Sequence, residues 1–423
     1  MAPIAQRARG TQDLLPRDQP VWDAMQAAAV QQAERFGYQR IETPIFEPTE
    51  LFVRAAGEAS DIVAHEMYTF TDRGNRSLTL RPEGTAPVLR AYFDGGLDQE
   101  PQPVRLYYMG PYFRYDRPQA GRMRELHQFG IEAIGENSPL LDVEAILLAW
   151  AWFGALSIDG ITLRINSIGD EVCRPAYRDR LRDYYRQHLD QLSAESRVRL
   201  EKNPLRLFDS KDPQEEALKR DAPKIVDHLC PPCAEAFARV QATLASEKVP
   251  FTLDPQLVRG LDYYTRTVFE FQHESLGGAQ NALCGGGRYD GLATALGYRS
   301  TPGIGFAAGL DRTAIVLKDK APQVPPGPDV YAVALESDDE AYVLHLAGML
   351  RAQGLRVVVD PGGGRLDAKL RKAARRGARV TVLVGPTERE KDEVVVRDMR
   401  QKTQVSVPVN ELMATVTRAL TTA

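Results

Sequence analysis

One hairpin and three glycine-punctuated segments of this 423-residue chain concentrate side chains that handle phosphate and small polar solutes. Between Gly110 and Glu125 the pattern reads as two strands joined by a Pro/Gly loop, with Arg114, Arg117, Arg122 and Arg124 around that loop. Guanidinium is a planar, permanently charged fork suited to phosphate oxygens. Just beyond, Gln128, Gly130 and Glu132 fall at even spacing on one strand and share a face, while Glu125 falls on the other. A short turn after a strand carries Glu83 and Thr85. The stretch Val258 to Thr265 holds Arg259, Asp262, Tyr263 and Tyr264, and Cys284 to Gly291 contains three consecutive glycines that let backbone approach a ligand closely. Each segment alone reads as a surface hairpin, a solvent face or a turn. Together, in one domain, they point to a binding site for a polar, phosphorylated ligand.

Other site chemistries have no support. The sequence contains no Gly-Lys pair, so a Walker A loop is excluded, and Gly303, Gly305 and Gly309 miss the dinucleotide fingerprint. Cys230 and Cys233 form a C-x-x-C near His228. No second ligand pair is visible, Cys173 and Cys284 being remote in sequence, so a structural role is expected and no metal site is assigned. Four cysteines in such a chain make no disulfide scaffold, which favours a reducing, cytoplasmic setting. The apolar run Ala145 to Ile158 is too short for a bilayer and reads as a buried helix.

The elements that must position these residues divide in two. Four prolines between Ala321 and Pro328 mark a linker. Before it, a helix at Val21 to Phe36 leads into a strand at Gln39 to Thr43. Further strands are expected at Leu78 to Leu80, Arg105 to Tyr115, Glu125 to Ile134, Thr162 to Ile165 and Thr267 to Phe271. Without a β-α-β rhythm, this implies an α+β domain over 1–320 with a mainly antiparallel sheet and a helical insertion around 170–250. After the linker, residues 329–423 alternate strand and helix and read as a small α/β domain with a mainly parallel sheet. Ser337 and Glu340 suggest a capping box for its first helix. The net charge of −4 excludes a protein that coats polyanions through bulk charge. That total conceals a division: 321–423 carries 15 basic and 13 acidic side chains, a net of +2, leaving −6 on 1–320.

These segments together resemble the class II aminoacyl-tRNA synthetases, and specifically the histidyl-tRNA synthetase family. Phe36 to Pro44 resembles motif 1, which in the family builds the dimer interface; Tyr107 to Glu132 resembles motif 2 and Thr301 to Arg312 motif 3. Val258 to Thr265 and Gly285 to Gly291 resemble the two blocks peculiar to the histidine enzyme. Arg9 to Thr11 with Asp13, Asn166 to Gly169 and Asn203 to Arg206 match as well, and the C-terminal unit resembles the family's anticodon-binding domain. Class I signatures such as HIGH and KMSKS are missing.

The resemblance implies activation of histidine by ATP, with Mg²⁺, followed by transfer to tRNA(His), in a cytoplasmic homodimer without an organic cofactor or membrane attachment. Glu83, Thr85 and Gln128 match positions that hold the α-amino group. Glu132 and Tyr264, with Tyr263 beside it, match those that read the imidazole. Arg114 matches the α-phosphate arginine, Arg122 and Arg312 those on the outer phosphates, and Arg259 a guanidinium aimed at the α-phosphate and the histidine carboxylate. Arg114 and Arg259 are the catalytic candidates. Leu126 stands where the family usually stacks Phe on adenine, and Asp311 where Glu commonly precedes the motif 3 arginine. Arg117 and Gln119 match residues that meet the tRNA acceptor end.

In the C-terminal unit, Arg365, Lys369, Lys372, Arg376 and Arg379 recur at helical spacing as one stripe, a second surface suited to tRNA phosphates. Two rival readings remain on sequence: a regulatory paralogue that partners ATP phosphoribosyltransferase, which is expected to lack the Arg259 block and the C-terminal domain, and another class II synthetase, which is expected to lack the Tyr263-Tyr264 pair.

Overall fold

A computed structural model describes residues 6–57, 60, 62–119, 121–210, 212–277, 281–318, 327–361 and 364–421. The chain divides into two compact units, Met1–Pro322 and Gln323–Ala423. Most of the expected linker, 321–326, lies outside the described residues. Among the described residues no helix is long and apolar enough to cross a membrane.

The first unit opens with helix α1 (Gln19–Arg35), whose Trp22, Met25, Ala29 and Ala33 recur at helical spacing and are buried. Gly37, at φ +79°, turns the chain into β1 (Gln39–Arg40). This strand is shorter than the expected Gln39 to Thr43; it pairs only at Gln39 and Arg40, parallel to a later strand. β2 (Phe46–Pro48), α2 (Thr49–Ala56), β3 (Tyr68–Thr71) and β4 (Ser77–Leu80) follow, the three strands making a small antiparallel sheet. Next come α3 (Thr85–Asp94), β5 (Val104–Phe113), β6 (Glu125–Ile134), α4 (Pro139–Ala155) and β7 (Ile161–Ser167).

The helical insertion holds α5 (Arg174–Arg186), α6 (Ala194–Lys202), α7 (Glu216–Asp221) and α8 (Pro231–Ser246), with a small core of its own around Tyr177, Leu181, Tyr185 and Leu200. β8 (Thr252–Leu253), β9 (Thr265–His273), β10 (Ala282–Arg288), α9 (Leu292–Ala295), β11 (Gly303–Gly309) and α10 (Leu310–Leu317) complete the unit.

Among the described residues, eight strands form the main sheet in the order β1-β5-β6-β11-β10-β9-β7-β8. Its six long strands pair antiparallel, and only the two-residue edge strands β1 and β8 pair parallel. The expected architecture is therefore present. α1 and α4 pack on the sheet, with Trp152 fully buried and its indole N–H donating to the Met25 carbonyl at 3.2 Å. Most of the segment Cys284 to Gly291, read from sequence as a turn that lets backbone approach a ligand, lies in the central strand β10. Gly286 lies so close to its neighbours that a Cβ there would sit 2.3 Å from the Gly305 carbonyl oxygen.

The second unit contains β12 (Val330–Ala334), α11 (Glu340–Ala352), β13 (Val357–Asp360), α12 (Leu366–Arg375), β14 (Val380–Val384), α13 (Pro386–Lys391), β15 (Glu393–Asp398), β16 (Gln404–Pro408) and α14 (Leu412–Thr421). Its sheet runs β13-β12-β14-β15-β16, the first three strands parallel and the last two antiparallel. Sequence reading missed β15 and β16, so the sheet is mixed. The expected capping box is also corrected: Ser337 opens a 3₁₀ turn, α11 begins at Glu340, and no side chain caps it.

Candidate functional site

A cavity of about 430 Å³ opens on the main sheet of the first unit. It collects Glu83, Thr85, Arg114, Arg122, Leu126, Gln128, Arg259, Tyr263, Tyr264 and Arg312 from segments up to 230 residues apart in sequence. Each arrives by a local device. Glu83 ends the turn after β4 and accepts the first N–H groups of α3, Thr85 N at 2.7 Å and Ala86 N at 3.0 Å. The β5–β6 hairpin supplies Arg114 and Arg122 from its loop and Leu126 and Gln128 from β6.

The loop bearing Arg259 is braced by the insertion. Arg206 donates to the Gly260 carbonyl at 2.7 Å, and Asn203 donates to Asp262 at 3.1 Å. Asn166 holds the chain just upstream through the carbonyls of Pro255 and Leu257. Asn166, Asn203 and Arg206 thus brace this loop from behind.

The polar end of the cavity is built from buried groups. Glu83 is 5% exposed, and burial pushes its carboxyl above the usual range. The Tyr263 hydroxyl points at it from 3.4 Å, and the Tyr263 and Tyr264 rings lie 4.8 Å apart. Gln128 lines the cavity with a buried side-chain oxygen that has no hydrogen-bond partner among the described residues. Glu132, on the same face of β6 as Gln128, sits just beneath the lining. Its oxygens accept from Thr85 at 2.8 Å, Tyr108 at 2.9 Å and Tyr289 at 2.7 Å. Burial pushes its carboxyl up to about 8.

Tyr108 and Tyr289 escaped sequence reading. Two glycines signal the first: a Cβ on Gly84 or Gly130 would fall within 2.5 Å of the Tyr108 ring. Tyr289 stands inside the Gly285 to Gly291 block.

The basic end is built by guanidiniums held from behind. Arg114 donates to the Pro82 carbonyl at 2.8 Å. Arg312 donates to the carbonyls of Gly121 at 2.8 Å and Ala282 at 2.7 Å. Arg122 pairs with Asp116, and Arg259 pairs with Glu270, a cavity-lining acid that sequence reading passed over. Arg259 lies flat over Gly285, where a Cβ would meet its Nη2 at 2.1 Å. Asp311 accepts from the His127 backbone N–H at 2.6 Å and from Gln12 at 2.7 Å, tying α10 to β6. Arg288 plays no part in the cavity: it is 1% exposed and ion-paired with Asp142.

Arg117 and Gln119 are exposed on the hairpin loop. Arg365 and Arg376, which flank α12, and Lys372 on it are exposed, whereas Lys369 corrects the expected stripe. It is 3% exposed, and its ammonium donates to the Ala334 carbonyl at 2.6 Å, because its long stem reaches across to the end of β12. Lys372 is shared with Asp360 at 3.1 Å. The cysteine expectation changes too. The fold brings Asp170 and Cys173 beside Cys230 and Cys233, supplying the second pair that the sequence spacing hid.

The family model for histidyl-tRNA synthetase matches residues 10–313, and that for an anticodon binding domain matches 329–419. The chain is 49% identical over 413 residues to the histidine–tRNA ligase of Desulforudis audaxviator strain MP104C, covering 97% of this chain and 98% of the relative. It is 45% identical over 408 residues to that of Moorella thermoacetica, covering 96% of each. Among solved structures, apo S. aureus histidyl-tRNA synthetase aligns with a TM-score of 0.82 at 32% identity, covering 98% of this chain and 100% of that one.

Proposed function

The chain belongs to the histidyl-tRNA synthetase family and acts as a histidine–tRNA ligase, and from that premise we propose how its residues divide the work. The enzyme joins histidine to ATP as histidyl-adenylate, releasing pyrophosphate, and then transfers histidine to the 3′ end of tRNA(His). A regulatory paralogue or another class II synthetase is not favoured. The domain reading takes 1–320 as catalytic, 321–328 as linker and 329–423 as anticodon-binding.

Histidine enters with its ammonium against Glu83, Thr85 and the unpartnered oxygen of Gln128. An ammonium there offsets the burial that raises the Glu83 carboxyl. Neutral imidazole offers one donor and one acceptor. Tyr264, beside Tyr263, serves one nitrogen. Glu132 accepts the ring N–H by exchanging one of its three hydroxyl donors for it. Amino acids without both ring nitrogens leave these buried groups unpaired and are rejected.

ATP enters as its Mg²⁺ complex, a substrate, with adenine over Leu126. Arg122 and Arg312 hold the outer phosphates, and Arg114 and Arg259 hold the α-phosphate. A histidine carboxylate oxygen attacks the α-phosphorus in line; the new O–P bond forms as the bond to pyrophosphate breaks, and the departing charge falls on Arg122 and Arg312. The terminal ribose hydroxyl of tRNA then attacks the acyl carbon and AMP leaves. No protein nucleophile is required, so positioning and fixed charge carry both steps.

Arg117 and Gln119 meet the acceptor end, and Arg365, Lys372 and Arg376 supply phosphate contacts from the C-terminal unit. The segment around α1 and β1 builds a homodimer interface, and the enzyme works in the cytoplasm.

The observation that carries these roles is the meeting of Arg114, Arg259 and Arg312 with Glu83, Tyr263 and Tyr264 in one cavity. ATP–pyrophosphate exchange across all twenty amino acids tests it. Histidine alone is expected to drive exchange; activity with another amino acid, or with none, overturns the reading.

A further inference from the structure

Three of the chain's four cysteines, Cys173 and the distant pair Cys230 and Cys233, converge at the base of the helical insertion. Asp170 and Cys173 follow β7, and Cys230 and Cys233 open α8. One ligand atom from each of these four residues lies within 4.8 Å of all the others. The Asp170 Oδ1 atom stands 3.5 Å from Cys173 Sγ and 3.7 Å from Cys230 Sγ. A tetrahedral zinc with Zn–S of about 2.3 Å and Zn–O of about 2.0 Å sets sulfur and oxygen about 3.5 Å apart and sulfurs about 3.8 Å apart. The two spacings D-x-x-C and C-x-x-C each form one ligand turn.

Local backbone fits that use. Gly169, at φ +66°, lets the chain wrap Cys173: a Cβ there would lie 2.7 Å from its Sγ. The Asp170 N–H donates to Cys173 Sγ at 3.4 Å, and the Asp170 carboxylate is aimed by the N–H of Val172 at 3.0 Å. Such bonds behind the ligands fix their orientation. Burial is graded, Cys173 and Cys233 buried and Asp170 and Cys230 partly open, which leaves a way in for an ion.

We propose that Asp170, Cys173, Cys230 and Cys233 bind a structural Zn²⁺ ion. Three thiolates favour zinc over the hard cations, which take oxygen ligands. Four protein ligands close the coordination sphere, so the site holds structure and leaves no position for a substrate. Zn²⁺ with three thiolates and one carboxylate carries a formal charge of −2. Arg266, 3.4 Å from Asp170, and Arg174, which follows Cys173, supply the balancing pair.

The ion ties both ends of the segment 174–229 to the sheet. Its effect reaches the substrate cavity through Arg174, which donates to the carbonyls of Gly169 at 2.8 Å and Tyr264 at 2.7 Å.

Metal analysis of the full chain, purified reduced and without chelator, is expected to find about one zinc per chain. Cobalt loading should give the visible spectrum of a tetrahedral thiolate site. Cys233→Ser should lose the metal and melt at lower temperature. Should that variant not fold, Asp170→Asn should yield zinc to a weaker chelator than the parent does, and Asp170→Cys should hold it more tightly. Less than about a tenth of an equivalent of zinc together with no tetrahedral cobalt spectrum overturns the proposal. So does a thiol count, in denaturant without reductant, that finds two of the four cysteines already joined as a disulfide.

Discussion

The cleft arginines and the basic residues in and beside α12 carry the same charge in opposite settings. In the cleft, Arg114 and Arg312 are held by backbone carbonyls and Arg259 by a carboxylate, its side chain 22% exposed. At α12 the side chain of the N-cap residue Arg365 is 90% exposed and that of Lys372 47%. A guanidinium fixed during folding has lost its rotamer freedom before substrate arrives, so it acts on the transition state without reorganising. An exposed one keeps that freedom and contributes through long-range, salt-screened attraction. In the proposed division of roles, placement separates catalytic charge from docking charge, and residue type does not.

The largest expected effect removes a fixed charge. Arg259→Ala should lower histidine-dependent pyrophosphate exchange by about a hundredfold or more, the scale seen when one preorganised donor is lost. Its circular dichroism and melting temperature should stay near those of the parent. A near-normal rate would erase the distinction between the two regions.

Adjacent glycines of β10 sharpen the comparison. Gly285→Ala places a Cβ against the end of the Arg259 side chain, which can swing away, so activity should fall about tenfold or more with the fold intact. Gly286→Ala meets the Gly305 carbonyl and the Phe306 and Phe269 side chains, and stability should fall instead. Exchange kinetics and thermal melts of the two variants separate these outcomes.

Glu132 extends the contrast to acids. Its carboxyl shifts from 4.5 to about 8 through burial, so the folded state binds a proton that the unfolded state has released across that range. The stability this proton lends is complete below about pH 4.5 and is lost as pH rises through about 8. Against Glu132→Gln, which cannot titrate, the parent's melting temperature should therefore decline between those limits and run parallel above them. Parallel curves throughout would mean that Glu132 is ionised in the folded state at neutral pH.

Lys369 tests the boundary from the other side. It lies in the docking region by sequence but is buried and bonded to Ala334. Lys369→Ala should cost about 1–3 kcal/mol of stability, as expected when a buried hydrogen-bond partner is deleted. A denaturant titration measures this, and an unchanged midpoint accompanied by weaker tRNA charging would return Lys369 to the surface stripe.

Much of this was legible in the sequence, for identifiable reasons. Four of the six long antiparallel strands, β5, β6, β7 and β9, were readable because runs rich in β-branched and aromatic residues mark them, whereas glycine-rich β10 and β11 were not. Arg114, Arg259, Glu83 and the tyrosine pair were readable because unusual residue types cluster within short segments. What escaped were relations created only by the fold. Tyr108 and Tyr289 look like core aromatics until β5 and β10 bring their hydroxyls to Glu132. Glu270 looks like a strand acid until Arg259 lies against it. Lys369 has stripe spacing, but spacing does not reveal that a lysine stem can bend inward to a strand end. Cys173 and Cys230 are 57 residues apart and meet only because the insertion returns to its own base.

The smallest effect, and the most direct test of the docking side, comes from removing only charges that the fold does not use. Lys372 is a poor choice, since its ammonium also serves the buried Asp360 and its loss confounds binding with stability. Arg365→Gln with Arg376→Gln avoids that. Each neutralised phosphate contact should reduce the slope of log affinity against log salt by about 0.7–0.9, so the pair should flatten it by about 1–2 and raise the KM for tRNA a few-fold at low salt. Pyrophosphate exchange, which involves no tRNA, should not change. The salt slope distinguishes this reading from a structural defect, because misfolding lowers both reactions at every ionic strength while lost counterion release lowers only charging and fades as salt rises. Equal loss in both reactions, or an unchanged slope, would leave α12 without a share in tRNA binding.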